Sequence, residues 1–211
     1  MAQITLALSK GRLLAPSWKA LEACGYALEP LNKDLRQAVF DVDEQLRLII
    51  IRDDDVPTYV AYGTADLGIV GKDVMEESGE EVVELADLLY APCRLVLAMP
   101  QTKPEVEPNL SIATKYPRLS TQYFRDRSLP ARIIHVHGAT ELAPTVGLSD
   151  GIVDLVATGG TLQVNRLVEV ATLLSSSARL IGNPAASNLK GDAFWHLVQG
   201  LRDATERGAE S

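Results

Sequence analysis

The chain has few of the residues that would tie it down by covalent or metal chemistry. Among 211 residues there are two cysteines and three histidines. Cys24 and Cys93 are far apart and form no CxxC pair, which excludes a disulfide scaffold and argues against a structural zinc site. We expect free thiols in a reducing, cytoplasmic setting. No apolar run approaches the roughly 18 residues needed to span a bilayer. The opening "MAQITLALSKGRLL" has no basic stretch ahead of its short apolar run, so it reads as a first strand and not as an export signal. Net basic charge is also missing. A formal charge of −8 argues against a general nucleic-acid or acidic-membrane binder, yet leaves room for an anionic small ligand held by a local cluster of N–H groups and cations. There is no repeat of fixed period and no low-complexity segment. What the chain does have is a 46% hydrophobic content, ample for a well-buried core.

Apolar runs alternate with amphipathic stretches. "ITLAL", "LRLIII", "DLGIVG", "CRLVLAM", "LSIAT", "ARIIHV", "DLVAT", "VEVATLL" and "ARLIG" are strand candidates. Helices are predicted after the first strand (Leu14, Trp18, Leu21, stopping at Gly25), after Asp53–Asp55 as caps with Pro57 in the first turn, through Met75, near residues 119–127, near residues 141–146, and over 189–207. The last carries Phe194, Leu197, Val198 and Leu201 on one stripe. Alternating strands and helices imply an α/β protein with mainly parallel sheets. So many strands in so short a chain fit two lobes better than one. Lobe I takes residues 1–91 and 176–211, and lobe II takes 92–175.

"DLVATGGTL" joins a buried strand to a turn of small residues. Ligands of parallel α/β sheets bind beyond the carboxyl ends of the strands. Small residues there let successive N–H groups approach an anion, and Thr158 and Thr161 add hydroxyl donors. Upstream lie Glu141, Asp150 and Asp154. Carboxylates beside an anion cradle suit sugar hydroxyls or Mg2+. The pair of features points to a phosphorylated ribose, with a metal-bound pyrophosphate as its natural companion.

These residues also carry a resemblance. "ELAPTVGLSDGIVDLVATGGTL" (residues 141–162) resembles the signature of the ATP phosphoribosyltransferases, with the spacing E-x5-G-x-S-x2-I-x-D-L-x2-T-G-x-T-L matched throughout. "LALSKGRL", "RDDDVPTYV", "DLGIVGKDV" and "ATKYP" resemble the same family in the expected order, so the likeness covers essentially the whole chain. The more widespread phosphoribosyltransferases usually place two adjacent acids at the end of the strand before a related loop. Here Val153 precedes Asp154. The resemblance implies a two-lobed, periplasmic-binding-protein-like (type II) fold with the active site in the cleft between lobes. It implies transfer of the 5-phosphoribosyl group of phosphoribosyl pyrophosphate to N1 of ATP, the first step of histidine biosynthesis, with Mg2+ on the pyrophosphate. The protein ligands of that metal are not readable.

By the same resemblance, Arg52, Asp154 and Glu141 are catalytic. Asp154, Ala157, Thr158, Gly159, Gly160, Thr161 and Leu162 hold phosphoribosyl pyrophosphate. Lys10, Gly11, Arg12, Arg36, Gly71, Lys72 and Lys115 face ATP. Asp73 is expected to be structural, as are His135 and His137, on opposite faces of a strand. The chain resembles the short form of the family, which works as a hetero-octamer with a regulatory subunit similar to a histidyl-tRNA synthetase and is a homodimer alone. A non-catalytic solute-binding protein of the same two-lobed fold is the competing class. It has no use for a phosphate loop ringed by carboxylates.

Overall fold

The fold is described from a computed structural model, over residues 2–28 and 38–209. Contacts divide the chain into two units, Met1–Ala91 with Ser177–Ser211, and Pro92–Ser176.

The first unit is built on six strands: β1 (Ile4–Ser9), β2 (Val39–Asp41), β3 (Leu46–Ile51), β4 (Leu67–Gly71), β5 (Val83–Asp87) and β11 (Ala178–Gly182). They form one sheet in the order β2-β3-β1-β4-β11-β5. Among the described strands of this sheet, only β1, β3 and β4 pair in parallel. The helices are α1 (Leu14–Ala23), α2 (Val56–Ala61), α3 (Lys72–Ser78), α6 (Ala186–Lys190) and α7 (Asp192–Ala209). They cover the sheet from both sides, which is why its central strands read as continuous apolar runs. Leu6, Leu8, Leu48, Ile50 and Ile69 face one core with Trp18, Leu21, Phe194, Leu197 and Leu201. Ala7, Ile49 and Val70 face the other with Val56, Val60 and Val74. Each fully buried leucine contributes roughly 1.5–3 kcal/mol, so the double-sided burial dominates the stability of this unit.

The second unit has five strands: β6 (Cys93–Pro100), β7 (Leu110–Thr114), β8 (Ala131–His135), β9 (Gly151–Val156) and β10 (Leu167–Ser176). Their order in the sheet is β10-β6-β9-β7-β8. Again one trio, β7 with β8 and β9, is parallel. Helix α4 (Pro117–Asp126) lies on one side and α5 (Gly160–Val164) is the short helix on the other. No helix among the described residues is long and apolar enough to cross a membrane.

Four expectations need correction. The sheets are not mainly parallel, because β2, β5, β6, β10 and β11 run antiparallel to their neighbours. The helix expected near residues 141–146 is a single 3-10 turn, Thr140–Leu142, followed by turns, since Pro144 has no amide to continue it. Asp53–Asp55 is itself a 3-10 turn, and Asp55, at the cap of α2, makes no side-chain capping bond. The terminal helix is two helices, α6 and α7, broken at Gly191 with φ +54°. Strands β2 and β5 are not among the strand candidates of the sequence. They are the two edges of the first sheet, and two of the three residues of β2 and the first two of β5 are exposed.

Candidate functional site

Each parallel trio brings its carboxyl ends together, and the candidate residues cluster there. In the second unit β9 delivers Asp154 and then the turn 157–159, after which α5 begins at Gly160. Gly159 has φ +84°, a backbone region that a residue with a Cβ enters at a cost of about 1–2 kcal/mol. A Cβ on Gly160 would meet no atom within 4 Å. The amides that open a helix lack acceptors within it, so this turn presents donors with nothing larger than a threonine around them. Glu141, Asp154, Leu155, Val156, Ala157, Thr158, Gly159, Gly160, Thr161 and Leu162 line one hollow of about 290 Å3. Every residue expected on the phosphoribosyl side is therefore in one place, with the two carboxylates expected to be catalytic.

The carboxylate of Asp154 is half-buried, and one oxygen accepts the amide of Leu155 at 2.8 Å. Burial pushes its carboxyl above the usual aspartate value. The Leu155 amide and then Lys115 oppose that, and Glu141 adds to it. Asp150 is elsewhere, at the amino end of β9. It accepts the amide and hydroxyl of Ser111, both at 2.7 Å, and these hold its carboxyl below the ordinary range. It braces the sheet and is no part of the hollow.

In the first unit, Lys10, Gly11 and Arg12 follow β1, Arg52 follows β3, and Gly71 and Lys72 join β4 to α3. Gly11 has φ +89°. Ser9 is level with Ile51, and the amide of Lys10 bonds the Ile51 carbonyl at 2.8 Å. Lys10 and Arg52 thus leave adjacent strands side by side. Both are exposed, and neither has an ion pair among the described residues. Arg12 is engaged otherwise. Its guanidinium donates to the Ala91 carbonyl at 2.6 Å and lies 3.5 Å from the buried Asp73. Gly71 gives that pair its room, because a Cβ there would strike the Asp73 carboxylate and come within 3.4 Å of Arg12. Lys72 pairs with Glu84 at 3.7 Å. Arg36 lies outside the described residues.

Lys115 follows β7 and belongs to the second unit, whereas the other described ATP-side candidates belong to the first. The contact of Asp73 with Arg12 places this aspartate behind a site candidate, and only the packing reveals that. His135 and His137 are not on opposite faces. A strand repeats every two residues, and their rings lie 4.5 Å apart, both exposed. Among the described residues no three histidine, cysteine or acidic side chains gather to hold a metal ion.

Two mixed sheets, each with a parallel trio ending in candidate ligand groups, define a class of protein. The architecture is that of the type II binding-protein fold. The periplasmic aliphatic sulphonate binding protein of Escherichia coli matches it over 97% of this chain and 73% of its own, with a TM-score of 0.62 and 13% identity, a likeness of fold alone. Within that class, residues 52–203 match the family model described as HisG: ATP phosphoribosyltransferase. An ATP phosphoribosyltransferase of Symbiobacterium thermophilum is 47% identical over 99% of this chain and 98% of its own. A chain from the solved ATP phosphoribosyl transferase (HisG:HisZ) complex of Thermotoga maritima superposes with a TM-score of 0.87 at 30% identity, over 97% of this chain and all of that one. The chain belongs to the ATP phosphoribosyltransferase family, and so to the transferases of histidine biosynthesis rather than to the solute-binding proteins. The family is consistent with a metal-dependent reaction.

Proposed function

We propose that this chain joins N1 of the adenine of ATP to C1 of phosphoribosyl pyrophosphate. One N–C bond forms, the bond from C1 to the pyrophosphate oxygen breaks, and pyrophosphate leaves with the electron pair. The observation that carries the residue roles is the single hollow that gathers Glu141, Asp154 and the turn 157–162. The amides and hydroxyls of Thr158, Gly159, Gly160 and Thr161 take the 5-phosphate. Asp154 and Glu141 accept hydrogen bonds from the ribose hydroxyls and face the ring as it gathers positive character. Adenine N1 already has its lone pair at neutral pH. The work is therefore positioning and charge stabilisation, with no strong base required.

Arg52 answers the charge on the departing pyrophosphate, and its planar, permanently charged fork suits that task. Lys10, Gly11, Arg12, Gly71 and Lys72 form the ATP side, Arg12 being aimed by Asp73. Mg2+ travels with the pyrophosphate as part of the substrate and neutralises charge there. A metal brought by the substrate suits a site with only two carboxylates at its edge. The likeness to a chain of the Thermotoga maritima HisG:HisZ complex supports a second subunit, which we take to be regulatory and similar to a histidyl-tRNA synthetase. We propose a hetero-octamer with it, a homodimer without it, and a cytoplasmic location.

The test is formation of phosphoribosyl-ATP and pyrophosphate by the purified chain, alone and with the regulatory subunit. Product should require ATP, phosphoribosyl pyrophosphate and Mg2+ together. Tight binding of a small solute with no product under either condition would favour the solute-binding class instead.

A further inference from the structure

Asp154 stands where a charged carboxylate is expensive. It is half-buried, its own strand offers one amide, and Glu141 across the hollow repels it. The sheet supplies a remedy from the neighbouring strand. β7 and β9 are parallel, with Ile112 level with Gly151, Ala113 with Ile152 and Thr114 with Val153. Lys115 is the first residue past β7, and Asp154 follows Val153 within β9, so the register carried one residue further brings the two level. Paired strands lie about 4.8 Å apart, well within the reach of a lysine. The alternation of β9 puts Asp154 on the face that carries Ile152 and Val156, and the same alternation carried one residue past β7 puts Lys115 on that face with Ala113. Lys115 is exposed and makes no ion pair among the described residues, so its ammonium is not committed elsewhere.

Among the described residues, the other neighbours of Asp154 bring no uncommitted cation. Val96, directly opposite on β6, is apolar. Arg94, two residues along β6, is bonded to Glu169 of β10 at 2.9 Å. The turn before α5 and the helix itself, residues 157–164, carry no charged side chain.

We propose that Lys115 is a positioning residue for Asp154: from the adjoining strand it keeps that carboxylate charged and turned toward the ribose, and so serves the phosphoribosyl pyrophosphate half of the reaction. The inference rests on the reading of Asp154 given above. It assigns Lys115 away from ATP, where the family resemblance puts it. The direction of the effect follows from the charges. Burial already favours the protonated acid, and the Lys115 ammonium opposes it. Removing the ammonium lets the proton bind at higher pH, so the damage is greatest in acid and fades as pH rises.

The experiment compares the wild type with Lys115→Met, Lys115→Arg and Asp154→Asn. It follows kcat/KM for phosphoribosyl pyrophosphate and for ATP from mildly acidic to alkaline pH, together with calorimetric binding of phosphoribosyl pyrophosphate. Lys115→Met should lose on the order of tenfold in kcat/KM for phosphoribosyl pyrophosphate at the acid end and about twofold or less at the alkaline end. Lys115→Arg should recover most of it, and KM for ATP should stay within about twofold in both. A loss independent of pH, or one carried by KM for ATP, would overturn the inference. Asp154→Asn separates the two levels of the argument. If it removes the acidic limb while Lys115→Met leaves that limb unmoved, the role of Lys115 is wrong and that of Asp154 stands. If Asp154→Asn behaves as wild type, the reading of Asp154 fails and this inference falls with it.

Discussion

Gly159 and Gly160 are adjacent, yet the fold asks different things of them, and that difference isolates the ligand. Gly159 is required by the backbone, with φ +84°. Gly160 is not. Its φ is outside the left-handed range, and the space where a Cβ would go is open to 4 Å. As the first residue of α5, it is a place where alanine should be welcome. Gly160→Ala ought to leave stability unchanged or raise it by up to about 1 kcal/mol, a rise of some 2–4 °C in Tm for a chain of this size. If the 5-phosphate rests against this turn, the new methyl stands between the amides and the anion. Affinity for phosphoribosyl pyrophosphate should then fall on the order of tenfold or more, which is about 1.4 kcal/mol or more. ATP binding should hold. Gly159→Val mixes both effects, since a β-branched side chain is strained at that φ whatever occupies the site. Thermal unfolding without ligand and calorimetric titration of each substrate settle the matter. A Gly160→Ala protein that is fully stable and binds phosphoribosyl pyrophosphate as the wild type does would remove the phosphate from this turn.

Other outcomes are equally definite. Asp154→Asn, nearly isosteric but uncharged, should cut turnover by about tenfold or more; unchanged steady-state rates at saturating Mg2+ would count against a role in the reaction. Because burial raises the Asp154 carboxyl, the wild-type acidic limb for phosphoribosyl pyrophosphate should lie above the ordinary aspartate range, which a pH profile reads directly. Arg52→Ala and Arg52→Lys should slow the chemical step more than they weaken substrate binding, as measured in single turnovers. Gly151→Ala should destabilise the protein by about 1–3 kcal/mol, measured by denaturant unfolding, because its Cβ would strike the buried Met99 sulfur and lie 3.0 Å from the Ala98 carbonyl oxygen.

What is legible in the sequence follows from which features are local. Strands buried on both faces, such as Leu46–Ile51 and Gly151–Val156, announce themselves as apolar runs. The turn after β9 is written in its own small residues, and the hollow around it gathers the residues read there from the sequence, with Leu155 and Val156 besides. Edge strands β2 and β5 are not legible, because half-exposed strands mix polar and apolar residues. Strand direction is not legible either. Nothing within "ARLIG" tells that it runs antiparallel to β4. Relations between distant segments are also hidden. Asp73 behind Arg12, with Gly71 making room, and the pairing of β7 with β9 that brings Lys115 toward Asp154 exist only once the strands are in register.

The placement of β11 sets a timetable for the chain as it is made. In the first sheet β11 sits between β4 and β5, pairing with both. Those two strands are complete by Asp87, whereas β11 starts at Ala178. A ribosome adds about 5–20 residues per second, so the nascent first unit waits on the order of ten seconds with the strand between β4 and β5 still missing. The second unit, contiguous from Pro92 to Ser176, has its whole sheet in hand before then. Its order of birth makes the inserted half the first able to fold, and leaves the half that holds the N-terminus to close last, around a strand delivered from the far side of the insertion. Unpaired strand edges invite pairing with other chains. This interval of synthesis is when the protein is most exposed to misassembly.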